Sequence, residues 1–279
     1  MCEAGGEGVR GLELWSGGGS SKIHTHPPQA RPYPASSTAH VELMANSRFE
    51  YVKEYEEDTT LLRDVGAIIR IDGRAFHTFA TVHKFVKPFD GRAAAAMIQA
   101  TQETIKQFDN VLTCGYTHSD EVSIYMSSGS KLFGRRLQKL LSTIVSAFTA
   151  HYVLAFLRHF GVTALDGVAP PTFDGRIVLY PTKTSLHDYF CWRAADCHIN
   201  ALYNTAFWAL VQQGGVSERT ASRTLDGTVS AEKHELLFSR FGINYAKLPE
   251  IERRGSFITQ NEVSHRDILK DPFWHAVLT

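Results

Sequence analysis

Two short acidic motifs carry the clearest chemical signal in the sequence. Residues 72–74 (Asp-Gly-Arg) follow a β-branched run at residues 65–71, and residues 119–121 (Ser-Asp-Glu) lie between two further apolar runs. Neighbouring carboxylates repel each other unless they are protonated or neutralised, and Mg²⁺ bound by carboxylates and substrate phosphates is a common solution. If the fold joins the motifs, they predict a cation site for in-line phosphoryl transfer. Each motif alone is also typical of a solvated turn.

The order of the predicted elements indicates that the two motifs do meet. Apolar periodicity predicts strand, helix, strand, strand, helix, strand, which is the split βαβ order of a ferredoxin-like α+β fold. A right-handed crossover makes the first two strands parallel, with the third antiparallel between them. Asp72 and Asp120 are therefore expected at one edge of the sheet. The strands are predicted at 65–71, 111–116, 122–126 and 177–180, and the helices at 90–108 and 131–160.

The chain divides into three parts by composition and pattern. Residues 1–43 are rich in Gly, Pro and Ser and are predicted to be a disordered leader or an alternative-start extension. Residues 44–181 form the expected catalytic domain, and residues 182–279 are a mainly helical part with a tail of no clear periodicity. Helices are predicted there at 186–213, 217–225 and 230–241, the last two with N-caps at Ser217 and Ser230.

Charge and cysteine usage restrict the possible partners. Lys plus Arg and Asp plus Glu both number 29, so an RNA partner would need a local basic face. The four cysteines form no C-x₂-C pair, which favours free thiols in a reducing compartment over a zinc site. The N-terminus has no apolar signal region and the chain has no long uninterrupted apolar run, so we expect a cytoplasmic or nuclear protein without membrane contact. Acidic residues in the leader disfavour a mitochondrial presequence.

Candidate phosphate-binding cations are concentrated in the predicted catalytic domain. Arg136 and Lys139 are three residues apart, so one helix face is expected to present both as a phosphate clamp. The plainer interpretation is a solvated charged face. The full set is Arg70, Arg74, Lys87, Arg92, Lys131, Arg135, Arg136 and Lys139.

The segment at residues 192–205 is unusual for a helix because His198, Asn200 and Asn204 lie among apolar neighbours. Buried polar groups need hydrogen-bond partners, so a satisfied core histidine with core amides is the default explanation. The alternative is that these groups bond to base edges or a ribose while neighbouring aromatic rings stack.

Four segments together resemble the eukaryotic tRNA-histidine guanylyltransferases. They are residues 44–52 (MANSRFEYV), 70–77 (RIDGRAFH), 119–121 (SDE) and 196–205 (DCHINALYNT). The resemblance extends from residue 44 to about residue 260. It implies a 3′-to-5′ polymerase built on the palm of nucleic-acid polymerases and nucleotide cyclases, acting as a homotetramer on histidine tRNA. In that family the tRNA 5′-monophosphate attacks ATP, the GTP 3′-hydroxyl attacks the adenylylated end, and loss of pyrophosphate leaves one added guanosine.

The resemblance also implies roles for individual residues. It makes Asp72, Asp120 and Glu121 catalytic, with two Mg²⁺ ions held by Asp72, Asp120 and the backbone of Gly73. The residues implied to contact ATP or GTP are Gly73, Arg74, Lys87, Ser119, Arg136 and Lys139, and those implied to contact tRNA, including its anticodon, are His198, Lys233 and Asn244.

Two departures from the family pattern qualify this picture. Ala201 and Phe89 each stand where the family usually has asparagine. A general template-dependent tRNA 5′-end repair polymerase is the main alternative function. A nucleotide cyclase-like enzyme and a non-catalytic tRNA-binding relative are further alternatives, although the retained Asp72 and Asp120 argue against the last.

Overall fold

A six-stranded antiparallel sheet organises the structure, a computed structural model that describes residues 47–268. The predicted leader at 1–43 and the tail beyond residue 268 lie outside the described residues. The sheet order is β4-β1-β3-β2-β5-β6. The strands are β1 (Gly66–Gly73), β2 (Leu112–His118), β3 (Glu121–Met126), β4 (Phe173–Tyr180), β5 (Ser256–Thr259) and β6 (Val263–Ser264).

The first four strands confirm the ferredoxin-like α+β prediction. β3 pairs antiparallel with both β1 and β2, and β4 adds to the other side of β1. The helices are α1 (Phe76–Val82), α2 (Gly91–Gln107), α3 (Leu137–Phe160), α4 (Lys183–Gln212), α5 (Glu218–Leu225), α6 (Ser230–Phe241) and α7 (Glu250–Arg254). The predicted division after residue 181 stays a prediction.

Both faces of the sheet are covered, which explains why β1 is almost uninterruptedly apolar. Ile69 and Ile71 face the main core with α2 and α3, whereas Ile68 faces a second cluster against α4. A third cluster joins α4 to α5, α6 and Tyr245. The helical part is therefore packed on the sheet through α4, which contributes to both of the smaller clusters.

α3 is the one helix of the described residues that is long and apolar enough to cross a membrane by length and composition. One side of it carries Leu140, Ile144, Phe148 and Phe156, all fully buried in the main core. The periodic stripe predicted for this helix is thus a packing surface against the sheet.

The long helix begins later than the predicted residue 131. A 3₁₀ turn at Leu132–Arg135 precedes it, with Phe133 and Arg135 in the left-handed region at φ of 52° and 61°. The Arg135 side chain is 4% exposed and donates to the carbonyl oxygens of Val65, Ser128 and Ser130. Because these bonds hold a turn, Arg135 is a structural residue and the prediction that it is a phosphate-binding cation is wrong.

Two further local predictions are corrected by packing. β4 starts at Phe173 rather than residue 177, because the segment before residue 177 also pairs with β1, with Gly175 opposite Ile71. The absence of a side chain at Gly175 lets α3 pack close to this part of the strand. A Cβ on Gly175 would lie 2.6 Å from Val145 of α3. Ser217 caps α5 as predicted, but Ser230 is the first residue of α6 and Val229 takes the N-cap position.

The end of the described chain returns to the sheet, which periodicity did not predict. β5 pairs with β2 beyond the helical part, and the turn before β5 is made by Gly255 at φ of 69° and ψ of −159°. A Cβ at Gly255 would lie 2.7 Å from the Thr117 carbonyl oxygen and from the Tyr116 hydroxyl. Glycine is needed because both the dihedral angles and the close approach exclude a side chain.

We expect Gly255→Ala to lower the free energy of unfolding by about 1–3 kcal/mol through backbone strain alone, with the clash adding to it. Gly129→Ala is the matched control, because a Cβ there meets no atom within 4 Å. Thermal melting of both variants tests the expectation. Equal melting temperatures would show that the β2–β5 junction tolerates a side chain.

Candidate active site

Asp72 and Asp120 lie side by side at one edge of the sheet, as the sequence predicts. Asp72 is in register with Glu121, and the backbone N–H of the next residue, Gly73, donates to the Asp120 carbonyl oxygen at 3.1 Å. Asp120 occupies a two-residue hairpin turn in which Ser119 adopts a φ of 56°. The strand register therefore brings the two acidic motifs together.

The surroundings of Asp120 disfavour the charged form of its carboxylate. Burial raises the pKa of Asp120, and the charge of Asp72 raises it further. A hydrogen bond from Ser119 Oγ at 2.8 Å and the charge of Lys87 act in the opposite direction. Such a pair favours a cation, since a positive charge would relieve both the burial and the repulsion.

A pocket of about 350 Å³ opens beside Asp120. One wall comes from α1, α2 and the loop between them, and the other comes from α4 and α7. Ser119 and Lys87 line this pocket together with Asp120. Phe89 and Ala201, the two departures from the family pattern, line it as well. A nucleoside-sized ligand with its phosphates towards Asp120 suits this volume.

The loop before α2 is held in place by Asp90, which also lines the pocket. Burial acts to raise the pKa of Asp90, but hydrogen bonds from Arg92 and Val86 lower it to about 2. Its carboxylate accepts from the Val86 N–H at 2.9 Å and from Arg92 Nη2 at 2.7 Å, and it also caps the N-terminus of α2. The charge on Asp90 thus stabilises the loop that presents Lys87.

Glu121 lies next in the chain but its carboxylate has a different environment. It forms ion pairs with Arg70 of β1 and with Arg193 of α4, the latter at 2.8 Å. Trp192 covers both guanidinium groups. The structure therefore places Glu121 in a bridge between sheet and helix. Its predicted catalytic role stays a prediction, and any such role has to act through this bridge.

The other residues predicted in the sheet-edge motifs have local roles that are visible in the structure. Gly73 allows the buried ring of Phe76 to pack, because a Cβ would lie 2.3 Å from that ring. The backbone N–H of Arg74 donates to the Thr172 carbonyl oxygen at 2.9 Å, and the side chain of Arg74 is exposed at the same edge.

Arg136 and Lys139 are not brought to this site within one chain. They lie where α3 begins: Arg136 bridges to Thr60, and the adjacent Arg135 donates to the Val65 carbonyl oxygen, just before β1 and at the opposite end of that strand from Asp72. β1 spans about 23 Å at ~3.3 Å per residue. Arg136 is the N-cap residue rather than part of a helical face, and Lys139 Nζ lies 5.3 Å from the centroid of the Phe133 ring. No hydrogen bond, ion pair or ring contact of the described residues joins either side chain to Asp72 or Asp120, and the phosphate-binding role predicted for this pair stays a prediction.

All three predicted tRNA residues belong to the helical part, and two of them, His198 and Asn244, lie at Tyr245. The rings of His198 and His234, the neighbour of Lys233, lie 5.6 and 5.3 Å from the ring of Tyr245. Asn244 precedes Tyr245 and accepts from the Ala246 N–H at 3.1 Å. Lys233 Nζ donates to the Thr228 carbonyl oxygen at 2.6 Å. His198 and Asn244 thus lie at one place, Lys233 bonds within the segment that begins α6, and contact of the three with tRNA stays a prediction.

Two asparagines of the 192–205 segment are exposed, so the default explanation that they are buried, hydrogen-bonded core amides is wrong. Asn200 is exposed and bonds to Asp196 at 3.3 Å, and Asn204 faces the pocket. His198 is half-buried, and burial lowers its pKa. The histidine is thus partly a packed residue, but the amides are not core groups.

Sequence reasoning missed three residues that line the pocket: His118, Tyr152 and Glu252. Burial and the nearby Arg193 lower the pKa of His118 to about 4, so it is neutral at physiological pH. Its place beside Ser119 is a signal that the sequence did offer. Tyr152 and Glu252 come from α3 and α7, and no local pattern connects those helices to the hairpin.

Comparison with known proteins agrees with this arrangement. The family model described as tRNAHis guanylyltransferase matches residues 49–181, and the one described as Thg1 C terminal domain matches residues 184–272. The chain belongs to the tRNAHis guanylyltransferase family. A probable tRNA(His) guanylyltransferase of Dictyostelium discoideum is 43% identical over 83% of this chain and 96% of its own length.

Two solved structures of this family share the fold. The crystal structure of tRNA(His) guanylyltransferase from Saccharomyces cerevisiae has a TM-score of 0.75 at 36% identity, covering 78% of this chain and 95% of that one. A bacterial tRNA(His) guanylyltransferase-like protein in complex with ATP has a TM-score of 0.66 at 26% identity, covering 81% and 94%.

We expect Asp120→Asn to raise the melting temperature of the metal-free protein at pH 8, because burial disfavours the wild-type carboxylate. Because the folded-state pKa of Asp120 is raised, the gain should vanish as the pH falls towards about 4, the ordinary pKa of an unfolded aspartate, below which the carboxyl is protonated in both states. Asp90→Asn, in the same pocket, should instead lower the melting temperature at pH 8, because the pKa of Asp90 is depressed. Melting curves of both variants and the wild type in EDTA at the two pH values test these expectations. A lower melting temperature of Asp120→Asn than of the wild type at pH 8 would contradict the conclusion that burial disfavours the Asp120 carboxylate.

Burial raises the pKa of Glu121 although both arginines act to lower it. We still expect Glu121→Gln to destabilise the protein, by about 3 kcal/mol, because Arg70 and Arg193 would lose their shared counter-charge and a lone buried charge costs more than the burial of the paired carboxylate. Glu103→Gln is the control, since its ion pair with Lys106 is exposed and contributes little. Urea denaturation of the two variants measures the difference. Equal midpoints for both would mean that the bridge between β3 and α4 has no stabilising effect.

Proposed function

We propose that this protein adds one guanosine to the 5′ end of histidine tRNA by 3′-to-5′ nucleotidyl transfer. The observation that carries the proposal is the pairing of Asp72 with Asp120 at the mouth of a nucleoside-sized pocket. Membership of the family supplies the substrates. Nucleotide binding is further supported by the relative in complex with ATP.

The donor set at the sheet edge fits Mg²⁺. Two carboxylates, one with a pKa raised by burial and by the other's charge, are hard oxygen ligands, and among the described residues neither of them forms an ion pair. Among the described residues no group of three or more His, Cys, Asp or Glu side chains converges on one point, so phosphates and water would complete the coordination. Bound there, Mg²⁺ would neutralise charge on the reacting phosphates. Asp72 and Asp120 are the residues that would hold it.

The side chains around the pocket have distinct tasks in this proposal. Lys87 offsets the negative charge of a triphosphate, and the neutral His118 offers a hydrogen bond without adding charge. The tRNA 5′-phosphate attacks the α-phosphate of ATP and releases pyrophosphate. The GTP 3′-hydroxyl then attacks the adenylylated 5′-phosphate and releases AMP, and removal of pyrophosphate from the new 5′ end leaves one added guanosine. Phe89 and Ala201 make the pocket less polar than asparagines would, so nucleotide affinity depends more on packing.

A second copy of the chain is the partner we propose for the outer face of α3. A groove of about 820 Å³ between α3 and β4 has Leu141, Val145, Val153 and Leu154 in its lining. β4 is an edge strand in the described sheet, and Leu154 is 53% exposed. Burial of this apolar surface favours self-association, in line with the homotetramer that the resemblance implies. Arg136 and Lys139 would then act on the site of a neighbouring copy.

Specificity for histidine tRNA requires contacts to the anticodon at a place separate from the carboxylate pair. His198 and Asn244 lie at Tyr245, and Lys233 is next in sequence to His234, which contacts the same ring, so the three suit a contact region for the anticodon. Base-edge contacts discriminate between RNAs, whereas the carboxylate pair acts on any 5′ end presented to it. A general 5′-end repair polymerase would need no such region.

Asp72→Asn and Asp120→Asn should each abolish guanosine addition to 5′-monophosphorylated histidine tRNA, because the reacting phosphates lose their cation. Asp166→Asn, in an exposed turn, is the control and should retain activity. Product analysis of labelled ATP and GTP with tRNA, without tRNA, and with altered anticodons tests the proposal. A cyclic nucleotide formed without RNA would favour the cyclase alternative, and equal use of all anticodons would favour the repair polymerase.

A further inference from the structure

A second groove runs alongside the pocket and has a different lining. Its volume is about 580 Å³, and α4 contributes the aromatic side chains Tyr203, Phe207 and Trp208 to it. Lys84 and Lys87 line the opposite side. The groove and the pocket share part of their lining, which consists of His77, Ala80, Phe85, Lys87 and Asn204.

The aromatic side chains form a stacking surface. The rings of Tyr203 and Phe207 are nearly parallel, at 20° with centroids 6.2 Å apart, and Trp208 meets Phe207 edge-on at 5.3 Å. Tyr203 and Phe207 pack with one side against the helical cluster, yet all three rings are only half-buried. Core packing explains one side of these rings, and the groove side stays accessible to a flat ligand.

The charges in the groove favour an anionic backbone. Lys87 Nζ lies 5.9 Å from the centroid of the Trp208 ring, and Lys84 is exposed. Glu218 is the acidic residue of the lining. Lysines beside accessible aromatic faces are the combination by which proteins hold single-stranded nucleic acid, through phosphate contacts and base stacking.

We infer that this groove binds the unpaired nucleotides at the 3′ end of the tRNA acceptor stem. The inference rests on the proposed function, which brings the RNA 5′ end to Asp120 in the adjoining pocket. In a tRNA the single-stranded 3′ end leaves the stem beside the 5′ end, so it must lie next to that pocket. The groove is the neighbouring cavity that shares Lys87 and Asn204 with it.

Equilibrium binding without nucleotide tests the inference on the full-length protein. Fluorescence anisotropy compares two histidine tRNA transcripts that differ only in the presence of the unpaired 3′ nucleotides. Stacking of bases on the aromatic rings should make the wild-type protein bind the complete transcript about tenfold more tightly. Phe207→Leu should remove most of this difference, because it keeps apolar volume but loses the aromatic face.

Lys84→Gln is a second variant whose exposed side chain leaves the core intact, and it should reduce both the difference and the salt dependence of binding. Tyr55→Leu is the matched control, since Tyr55 is 83% exposed and lies outside the groove, and it should behave as wild type. Equal affinity of the wild type for both transcripts would overturn the inference. So would a Lys84→Gln variant that raises the Michaelis constant for ATP while keeping the full difference between transcripts, because the groove would then hold nucleotide.

The binding result is independent of turnover, which separates this inference from the proposed function. A protein that discriminates between the transcripts but adds no guanosine would retain the groove assignment and refute the function. A protein that adds guanosine without discriminating between the transcripts would retain the proposed function and refute the groove assignment.

Discussion

The antiparallel register of β1 and β3 is the constraint on which the site depends. One backbone hydrogen bond, from the Gly73 N–H to the Asp120 carbonyl oxygen, holds the end of β1 against the β2–β3 hairpin. It forces two carboxylates together in a place where burial already disfavours charge. The fold tolerates this repulsion because the surrounding strands and helices are extensively packed, and this electrostatic cost is the physical basis of the cation site proposed at the edge.

α4 determines how the catalytic sheet and the helical part act together. It covers one face of the sheet through Phe190 and Cys197 and continues into the helical cluster through Leu202 and Leu210. Arg193 on this helix also pairs with Glu121. This ion pair therefore connects the helix that carries the helical part to the residue that follows Asp120.

The return of the chain to the sheet adds a second connection between the same two parts. β5 pairs with β2, and the preceding α7 places Glu252 in the wall of the pocket. Arg254 pairs with Asp267 at 2.7 Å, which fastens this segment near its end. The pocket is thus formed by residues more than 100 positions apart in sequence, and the wall made by α4 and α7 belongs to the helical part.

The sequence by itself determined the ferredoxin-like order and the meeting of Asp72 with Asp120. Strand and helix periodicities are local, and chain handedness leaves few ways to arrange the strands. The family resemblance was likewise carried by contiguous motifs. Only the tertiary structure decided the partners of Glu121, because Arg70 and Arg193 reach it from another strand and from a helix that follows 72 residues later. It also placed Arg136 at the opposite end of β1 and added β5 to the sheet, since no local pattern records which distant segments will pack together.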